Sequence, residues 1–590
     1  MTIQDYLKSH DYLLLDGAMG TYYAAQTGDT GPCERANGEN PDSVLAIHKA
    51  YLQAGAKAIK TNTFAANRLT LGQDWQTVIA AGYDLAKTAA GDDAFVLADI
   101  GPITGVADAL GEYCLVVDAF LEKGARNFLF ETAADFEPLD KVAAYIKGKA
   151  PDAFVLVSFA AQPDGFTRSG LLVTQLLTQA AATSAVDALG LNCVCGPRHM
   201  RSLVEKMEKT SKPLCLMPNA AYPTVRGSRT FYDGDPRYFA QELEKLRALG
   251  VKLLGGCCGT TPDYIAQAKT TLDGPATAVT YPAQAQSAAS APAAAPVENP
   301  FWEALEDPAR KPFAVELDSP ANADVTKFMA GARELQEKGA SIITIADCPI
   351  ARARMDSSLM ACKLQRELGM AALPHMTCRD RNLNATQALL LGLCAEQVRN
   401  VLVITGDPIP SASRDEVKSV YNFNSRKLIA YVKSLNETVL PQSFQIFGAL
   451  NLNVRNFHMQ LQLAQEKEER GACGFLTQPV LSAQALENLK LARQTLKGKI
   501  LGGIMPVVSQ RNAIFMENEI SGINVCPEII DLYAGADRER GEELAVTVSA
   551  AIAKEIAPYV DGFYLMTPFG RTGLMGRIMD KIRQDGLTGE

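Results

Sequence analysis

Sixteen short apolar runs, eight on either side of an Ala/Pro-rich segment, constrain this 590-residue chain more than any other feature. The first eight are YLLLDGAM, AKAIKTNTF, AFVLADIGP, NFLFETA, AFVLVSFA, ALGLNC, PLCLMPNA and KLLGGCC. The second eight are FAVELD, SIITIAD, AALPHMTC, NVLVITGDP, SFQIFGALN, GFLTQPV, KILGGIMPV and DGFYLMTPF. Helical patterns separate the runs. Strand followed by helix, repeated, builds a parallel sheet covered by helices, and eight such units close into a barrel. The chain therefore reads as an α/β protein of two (β/α)8 TIM barrels. Two doubly wound open sheets are the other reading, because the period alone does not close a barrel.

The segment between the two series is GPATAVTYPAQAQSAASAPAAAPVENP, residues 274–300. It has almost no charge and few large apolar side chains, so burial cannot offset its ordering entropy. It reads as a linker spanning on the order of 30 Å. The expected domains are 1–273 and 301–590, joined by 274–300.

A net charge of −9 and the lack of any basic stripe argue against nucleic acid as a partner. There is no run of 18 apolar residues, so no membrane span is expected. The first residues, MTIQDYLKSHDYLLLDGAMG, lack the basic start and apolar stretch of a secretory signal. With thirteen scattered cysteines, that favours reduced thiols and a cytoplasmic location. Oligomeric state stays open, a homo-oligomer included.

Several runs end in polar or special residues, among them Asp16, Asn62, Glu131, Asn192, Cys257, Glu316, Asp407 and Gln478. In such barrels the C-terminal strand ends carry the chemistry. The eighth run ends in GGCCGTTP, where Cys257 and Cys258 stand side by side. Adjacent cysteines rarely pair with each other, because disulfide geometry strains that ring. Two buried free thiols would explain the pair alone. Cys193, which ends the run ALGLNC, offers a third ligand. Three thiolates and an open fourth position make a catalytic zinc site, which lowers the pKa of an incoming thiol. The glycine-rich turn Gly17-Ala18-Met19-Gly20-Thr21 offers backbone N–H groups that can receive a carboxylate.

GGCCGTTP, GLNC upstream and LLLDGAMGT near the start resemble the homocysteine S-methyltransferase family, as do NTFAANR, ADIGP, FETA, GFTRSG and MPNAAYP. The resemblance covers about residues 1–273. It implies a (β/α)8 barrel with Zn2+ held by Cys193, Cys257 and Cys258. It also implies that Asp16 and Glu131 bind the amino group of homocysteine, beside Gly17, Ala18 and Met19. Cys195 falls outside the pattern and reads as structural; Asn219 helps to shape the rim.

In the second half no G-x-G-x-x-G follows a strand, so a Rossmann nucleotide site is not indicated. Glu316, Asp347, His375, Asp407 and Gln478 instead stand at strand ends. Singly, each is more often a cap or an ion-pair partner; together they suggest acid chemistry. PHMTCRDRN, LVITGDP, RGACGFLTQPV and GGIMPV resemble methylenetetrahydrofolate reductase, over about residues 301–585. The resemblance implies a (β/α)8 barrel carrying FAD, which passes hydride from NADH or NADPH to 5,10-methylenetetrahydrofolate. Glu316 matches the acid that protonates the folate's N10. Asp407 matches the carboxylate beside flavin and pterin, and Gln478 the side chain that binds the pterin. His375, Thr377, Thr405 and Gly406 fall where the family wraps the flavin, and Lys467 where it meets the FAD phosphates. Two departures stand out. ELDSPAN has only Pro320 where the family usually has two prolines. Lys467 and Arg470 lie in the acidic run HMQLQLAQEKEERGAC, where the family carries more basic residues.

The expectation is a bifunctional enzyme that makes 5-methyltetrahydrofolate and moves a methyl group to homocysteine. The methyl donor stays open. No D-x-H-x-x-G cobalamin motif is present, so a separate corrinoid protein docks, a sulfonium such as S-methylmethionine serves, or the halves transfer directly. The other readings are a first half that senses homocysteine without methylating it, and a second half that binds folate without reducing it.

Overall fold

The computed structural model describes residues 1–106, 108–207, 210–226, 229–232, 234–274, 298–409, 418–520, 522–567 and 570–589. Most of the expected linker, 275–297, lies outside the described residues. The chain divides into two compact units, Met1–Ala285 and Gln286–Glu590.

In the first unit the eight expected runs all form strands: β1 (Leu13–Leu14), β2 (Ala58–Lys60), β3 (Phe95–Ile100), β4 (Asn127–Ala133), β5 (Phe154–Phe159), β6 (Ala188–Asn192), β7 (Leu214–Met217) and β10 (Leu253–Leu254). An antiparallel hairpin, β8 (Thr224–Arg226) with β9 (Arg229–Phe231), was not anticipated. The strands run parallel in the order β1-β10-β7-β6-β5-β4-β3-β2. Closure comes from a bridge between Leu15 and Ala58. Lys57 N–H donates to the Leu14 carbonyl at 2.8 Å and Asp16 N–H to that of Ala58 at 3.0 Å.

Strand side chains alternate between faces. Leu13, Leu15, Ala58, Leu97, Leu129, Leu156, Ala188, Cys215 and Leu253 fill the barrel interior as one apolar cluster, joined by Ile3 from the helix Ile3–Ser9. Their neighbours Leu14, Ile59, Val96, Phe128, Val155 and Leu189 belong to a second cluster, with the surrounding helices. Both faces are apolar because helices cover the outer one. Two residues further along the inner face the character changes to Lys60, Asp99, Glu131 and Ser158, with Asn192 four residues beyond Ala188, all buried. The polar layer lies at the C-terminal strand ends and forms the floor of the site.

The second unit repeats this plan. Its strands are β11 (Phe313–Asp318), β12 (Ile342–Ala346), β13 (Ala372–Thr377), β14 (Asn400–Ile404), β15 (Gln445–Leu450), β16 (Gly474–Pro479), β17 (Lys499–Ile504) and β18 (Gly562–Met566). They form a closed parallel barrel, with β18 returning to β11. Phe301 and Leu305 of the helix Pro300–Glu306 join the inner cluster of Ala314, Ile342, Leu373, Leu402, Phe447, Leu476 and Leu501. Two residues above them stand Glu316, Thr344, His375 and Gln478. Among the described residues no helix is long and apolar enough to cross a membrane.

Candidate active sites at the barrel mouths

In the first barrel the three predicted thiols converge. Cys193 follows β6, and Cys257 and Cys258 follow β10. The three Sγ atoms lie within 4.8 Å of one another. Cys193 Sγ and Cys258 Sγ are 3.8 Å apart. Zinc–sulfur bonds of about 2.3 Å at tetrahedral angles put two ligand sulfurs roughly 3.8 Å apart. The donor set therefore fits a zinc ion.

The backbone is bent to achieve this. Cys193 and Val194 both have positive φ, 58° and 63°. Such a conformation costs a non-glycine residue about 1–3 kcal/mol, so the surroundings must enforce it. Cys193 N–H donates to the Met217 carbonyl at 3.1 Å and Cys195 N–H to that of Cys193 at 2.7 Å. Cys257 N–H donates to Pro218 and Ala220 N–H to Cys258, at 2.9 and 3.0 Å. These bonds tie the turns after β6, β7 and β10 around the thiols. Hydrogen bonding with Cys193 and Cys258, then burial, pushes the Cys257 thiol up. Cys258, which accepts from both neighbours, is pushed down to about 3. A bound cation favours the thiolate form of all three. Cys195 is buried and donates to the Ala161 carbonyl at 3.2 Å, away from the trio. Asn219, also buried, donates its N–H to the Cys195 carbonyl at 3.1 Å.

The thiols open on a cavity of about 770 Å3 that Gly17, Met19, Lys60, Asp99 and Glu131 also line. The turn 17–21 leads into the helix Gly20–Thr27. N–H groups of a first helical turn have no intrahelical acceptor and face an anion readily. Ala18 N–H is instead used by the Thr260 carbonyl, at 3.0 Å. A Cβ on Gly17 would stand 2.5 Å from that same oxygen, so this close approach requires glycine.

Glu131 is 7% exposed and accepts from Asn192 Nδ2 at 3.4 Å. Burial pushes its carboxyl up to about 7. Asp16 differs from its expected setting. It is 2% exposed, and both its oxygens accept from Lys60, Oδ2 from the backbone N–H at 2.9 Å and Oδ1 from Nζ at 2.8 Å. Lys60 was not singled out in the sequence, although the alternation that puts Ala58 on the inner face puts Lys60 there too. Removing one partner of such a buried pair costs about 3–5 kcal/mol, because the other is left charged and unpaired.

In the second barrel Tyr564 Oη donates to Glu316 Oε2. His375 Nε2 lies 3.8 Å from the same oxygen and is buried without a hydrogen-bond partner among the described residues. Burial foremost pushes the Glu316 carboxyl up to about 7, against the lowering effect of Tyr564. Burial pushes His375 down to about 4, so its ring is neutral. Glu316, half-buried, is thus an acid able to hold a proton at neutral pH.

Asp347 organises the neighbouring turn by accepting from Thr377 N–H, Thr377 Oγ1 and Arg381, at 3.1, 3.0 and 2.9 Å. Arg379, beside it, donates to the Asp407 carbonyl at 3.2 Å. Gly406, with φ of 89°, packs so closely that a Cβ would stand 2.9 Å from Thr377 Cβ. The structure therefore brings Thr377, Thr405, Gly406 and Asp407 together, with Thr405 and Asp407 exposed at the mouth. Gln478 is half-buried two residues above Leu476. Lys467 is turned inward, where Nζ donates to the Ala449 carbonyl at 2.8 Å and burial pushes it down to about 8. The unpartnered His375 nitrogen beside exposed polar groups fits a flavin ring, whereas Lys467 is not presented to a phosphate.

Residues 13–272 match the homocysteine S-methyltransferase family and residues 303–582 the methylenetetrahydrofolate reductase family. Methionine synthase of Mycobacterium leprae is 33% identical over 288 residues, 42% of this chain and 23% of that protein. The chain thus spans about a quarter of the length of the methionine synthases it matches. Homocysteine S-methyltransferase of Escherichia coli is 27% identical over 299 residues, 45% of this chain and 96% of that protein. Among solved structures, the metallated homocysteine methyltransferase MmuM of Escherichia coli aligns at 24% identity with a TM-score of 0.39. It covers 45% of this chain and 99% of that one.

Proposed function

We propose that this chain, which carries a domain of the homocysteine S-methyltransferase family followed by one of the methylenetetrahydrofolate reductase family, is a bifunctional one-carbon enzyme. The observation that carries this reading is the convergence of Cys193, Cys257 and Cys258 on the first cavity. Zinc held by these three thiolates supplies the Lewis acidity that lowers the pKa of a fourth, substrate thiol. Glu131 receives the ammonium of homocysteine. The first-turn N–H groups at Met19, Gly20 and Thr21 receive its carboxylate. The Asp16–Lys60 pair fixes the floor beneath them. The substrate sulfur attacks the donor's methyl carbon, and the electron pair of the broken bond leaves with the donor.

In the second half FAD supplies hydride transfer from NADH or NADPH. Glu316 holds the proton that goes to N10 of 5,10-methylenetetrahydrofolate as the five-membered ring opens. Gln478 and Asp407 hold the pterin. His375, Thr377, Thr405 and Gly406 line the flavin side. The methyl donor of the first half is a sulfonium or a corrinoid supplied in trans.

The test is composition together with turnover. Purified protein is expected to hold one zinc per chain, to show flavin absorbance, and to oxidise NADH or NADPH over many turnovers when methylenetetrahydrofolate is present as acceptor. Colourless protein that binds folate but oxidises neither nucleotide after addition of FAD would reduce the second half to a folate-binding module.

A further inference from the structure

We propose that Tyr564 is a positioning residue for proton donation in the second barrel: its hydroxyl holds Glu316 Oε2, so that Oε1 carries the proton and delivers it. The inference rests on the reading that Glu316 is the acid of folate reduction.

Tyr564 lies on the inner face of β18, in the apolar cluster of Ala314, Leu402, Leu476 and Leu501. It is 5% exposed. Its partner in register on the adjacent strand β11 is Ala314, while Glu316 pairs with Met566. Tyr564 therefore stands two residues deeper in the barrel than the carboxyl, and its Oη reaches up to donate to Oε2. Packing fixes the ring, so the hydroxyl is presented at one place.

The tyrosine has one proton to give. Burial, then Glu316, holds its hydroxyl well above the usual tyrosine range, so that proton stays on Oη. Oε2 thus accepts a hydrogen bond whether Glu316 is charged or neutral, and the free oxygen, Oε1, is the better place for the acid proton. The other groups around the carboxyl do not compete. His375 Nε2, 3.8 Å from Oε2, is beyond hydrogen-bond length, and its ring is neutral. Thr344, in register with Glu316 on β12, carries no charge. Asp347 beyond it accepts from Thr377 and Arg381. Asp318, two residues further along β11, is exposed and opposes ionisation of Glu316. Among the described residues, Tyr564 is the group whose contact favours the carboxylate.

When the Oε1–H bond breaks toward N10, its electron pair stays on the carboxyl group. A hydrogen bond to an ionised oxygen is stronger than one to a neutral acid, so Tyr564 stabilises the charge as it develops. Without the hydroxyl, Oε2 becomes a charged oxygen with no donor, and the carboxyl is free to turn about its Cγ–Cδ bond.

The test is Tyr564→Phe in full-length protein, which removes one oxygen and keeps the ring packed in the inner cluster. The first measurement is infrared titration of the Glu316 carboxyl, identified by the band that Glu316→Gln lacks; it needs neither flavin nor folate. The native midpoint is expected at about 7. In Tyr564→Phe it is expected to rise by about one unit or more, since the donor that favours the charged form is gone. The second is rapid-mixing kinetics of FAD-loaded protein. On the acid side of the native midpoint, transfer from reduced flavin to methylenetetrahydrofolate is expected to fall about tenfold. Its decline at high pH is expected to move up with the carboxyl midpoint. Reduction of the flavin by NADH or NADPH is expected to stay within about twofold. An unchanged carboxyl midpoint, undiminished transfer to folate, or an equal loss in both flavin half-reactions each overturns the proposal. Undiminished folate reduction in Glu316→Gln overturns instead the underlying assignment of the acid, and is read in the same kinetics.

Discussion

Cys258→Ser is expected to lose zinc and methyl transfer while the second barrel continues to oxidise NADH or NADPH at its normal rate. A serine hydroxyl does not replace a thiolate as a soft ligand. Two remaining thiols leave the ion under-coordinated, so metal content should fall well below one per chain. The substrate thiol then reverts to its ordinary pKa, where a few per cent is ionised at pH 7. Loss of positioning costs about another 10²-fold. Together these give a fall of about 10³-fold in methionine formation. Metal analysis and the two separate activity assays check it. Loss of both activities together would contradict two independent sites.

Glu316→Gln is expected to act on the other half alone. The amide keeps the shape and the contact with Tyr564 but has no proton to give to N10. Removing a positioned general acid costs about 10²–10⁴-fold. Folate reduction should fall by that amount, while reduction of bound flavin by NADH or NADPH, which needs no acid at this position, stays within about twofold. The native pH profile follows from the raised carboxyl. Glu316 must be protonated to act, and it loses its proton as pH rises through about 7. The acid-dependent rate should therefore decline above pH 7. Stability has the same sign. The folded state keeps this proton where the unfolded chain has released it, so the contribution is full below the ordinary glutamate value and is lost as pH rises through about 7. In Glu316→Gln both dependences should flatten. A variant that keeps full folate reduction would move the acid to another residue.

All sixteen strands were legible as apolar runs, because a parallel barrel covered by helices makes both strand faces apolar. The hairpin Thr224–Arg226/Arg229–Phe231 was not, since its strands are three residues long and have no apolar period. At the thiol site, Cys193, Cys257 and Cys258 could be named because each ends a run. Lys60 and Asp99 were passed over for the converse reason. They lie within or just before the polar ends of AKAIKTNTF and AFVLADIGP, and only the two-residue alternation from Ala58 and Leu97 shows that they face inward. Asp16 illustrates the opposite limit. Its position at a strand end is plain in the sequence, but its occupation by Lys60 depends on closure between β1 and β2, which pairs residues 44 apart. Lys467 is similar: its place near a mouth follows from the motif, yet its inward turn onto Ala449 is a matter of packing.

The most direct test of the central claim is methionine formation from homocysteine by zinc-loaded, FAD-supplemented, full-length protein. S-Methylmethionine, 5-methyltetrahydrofolate and methylcobalamin would be offered one at a time. Methionine is expected with at least one of them, and the productive compound names the donor class. No methionine with any of the three, from protein that holds one zinc per chain and still reduces methylenetetrahydrofolate, would contradict a self-sufficient methyltransferase in the first barrel.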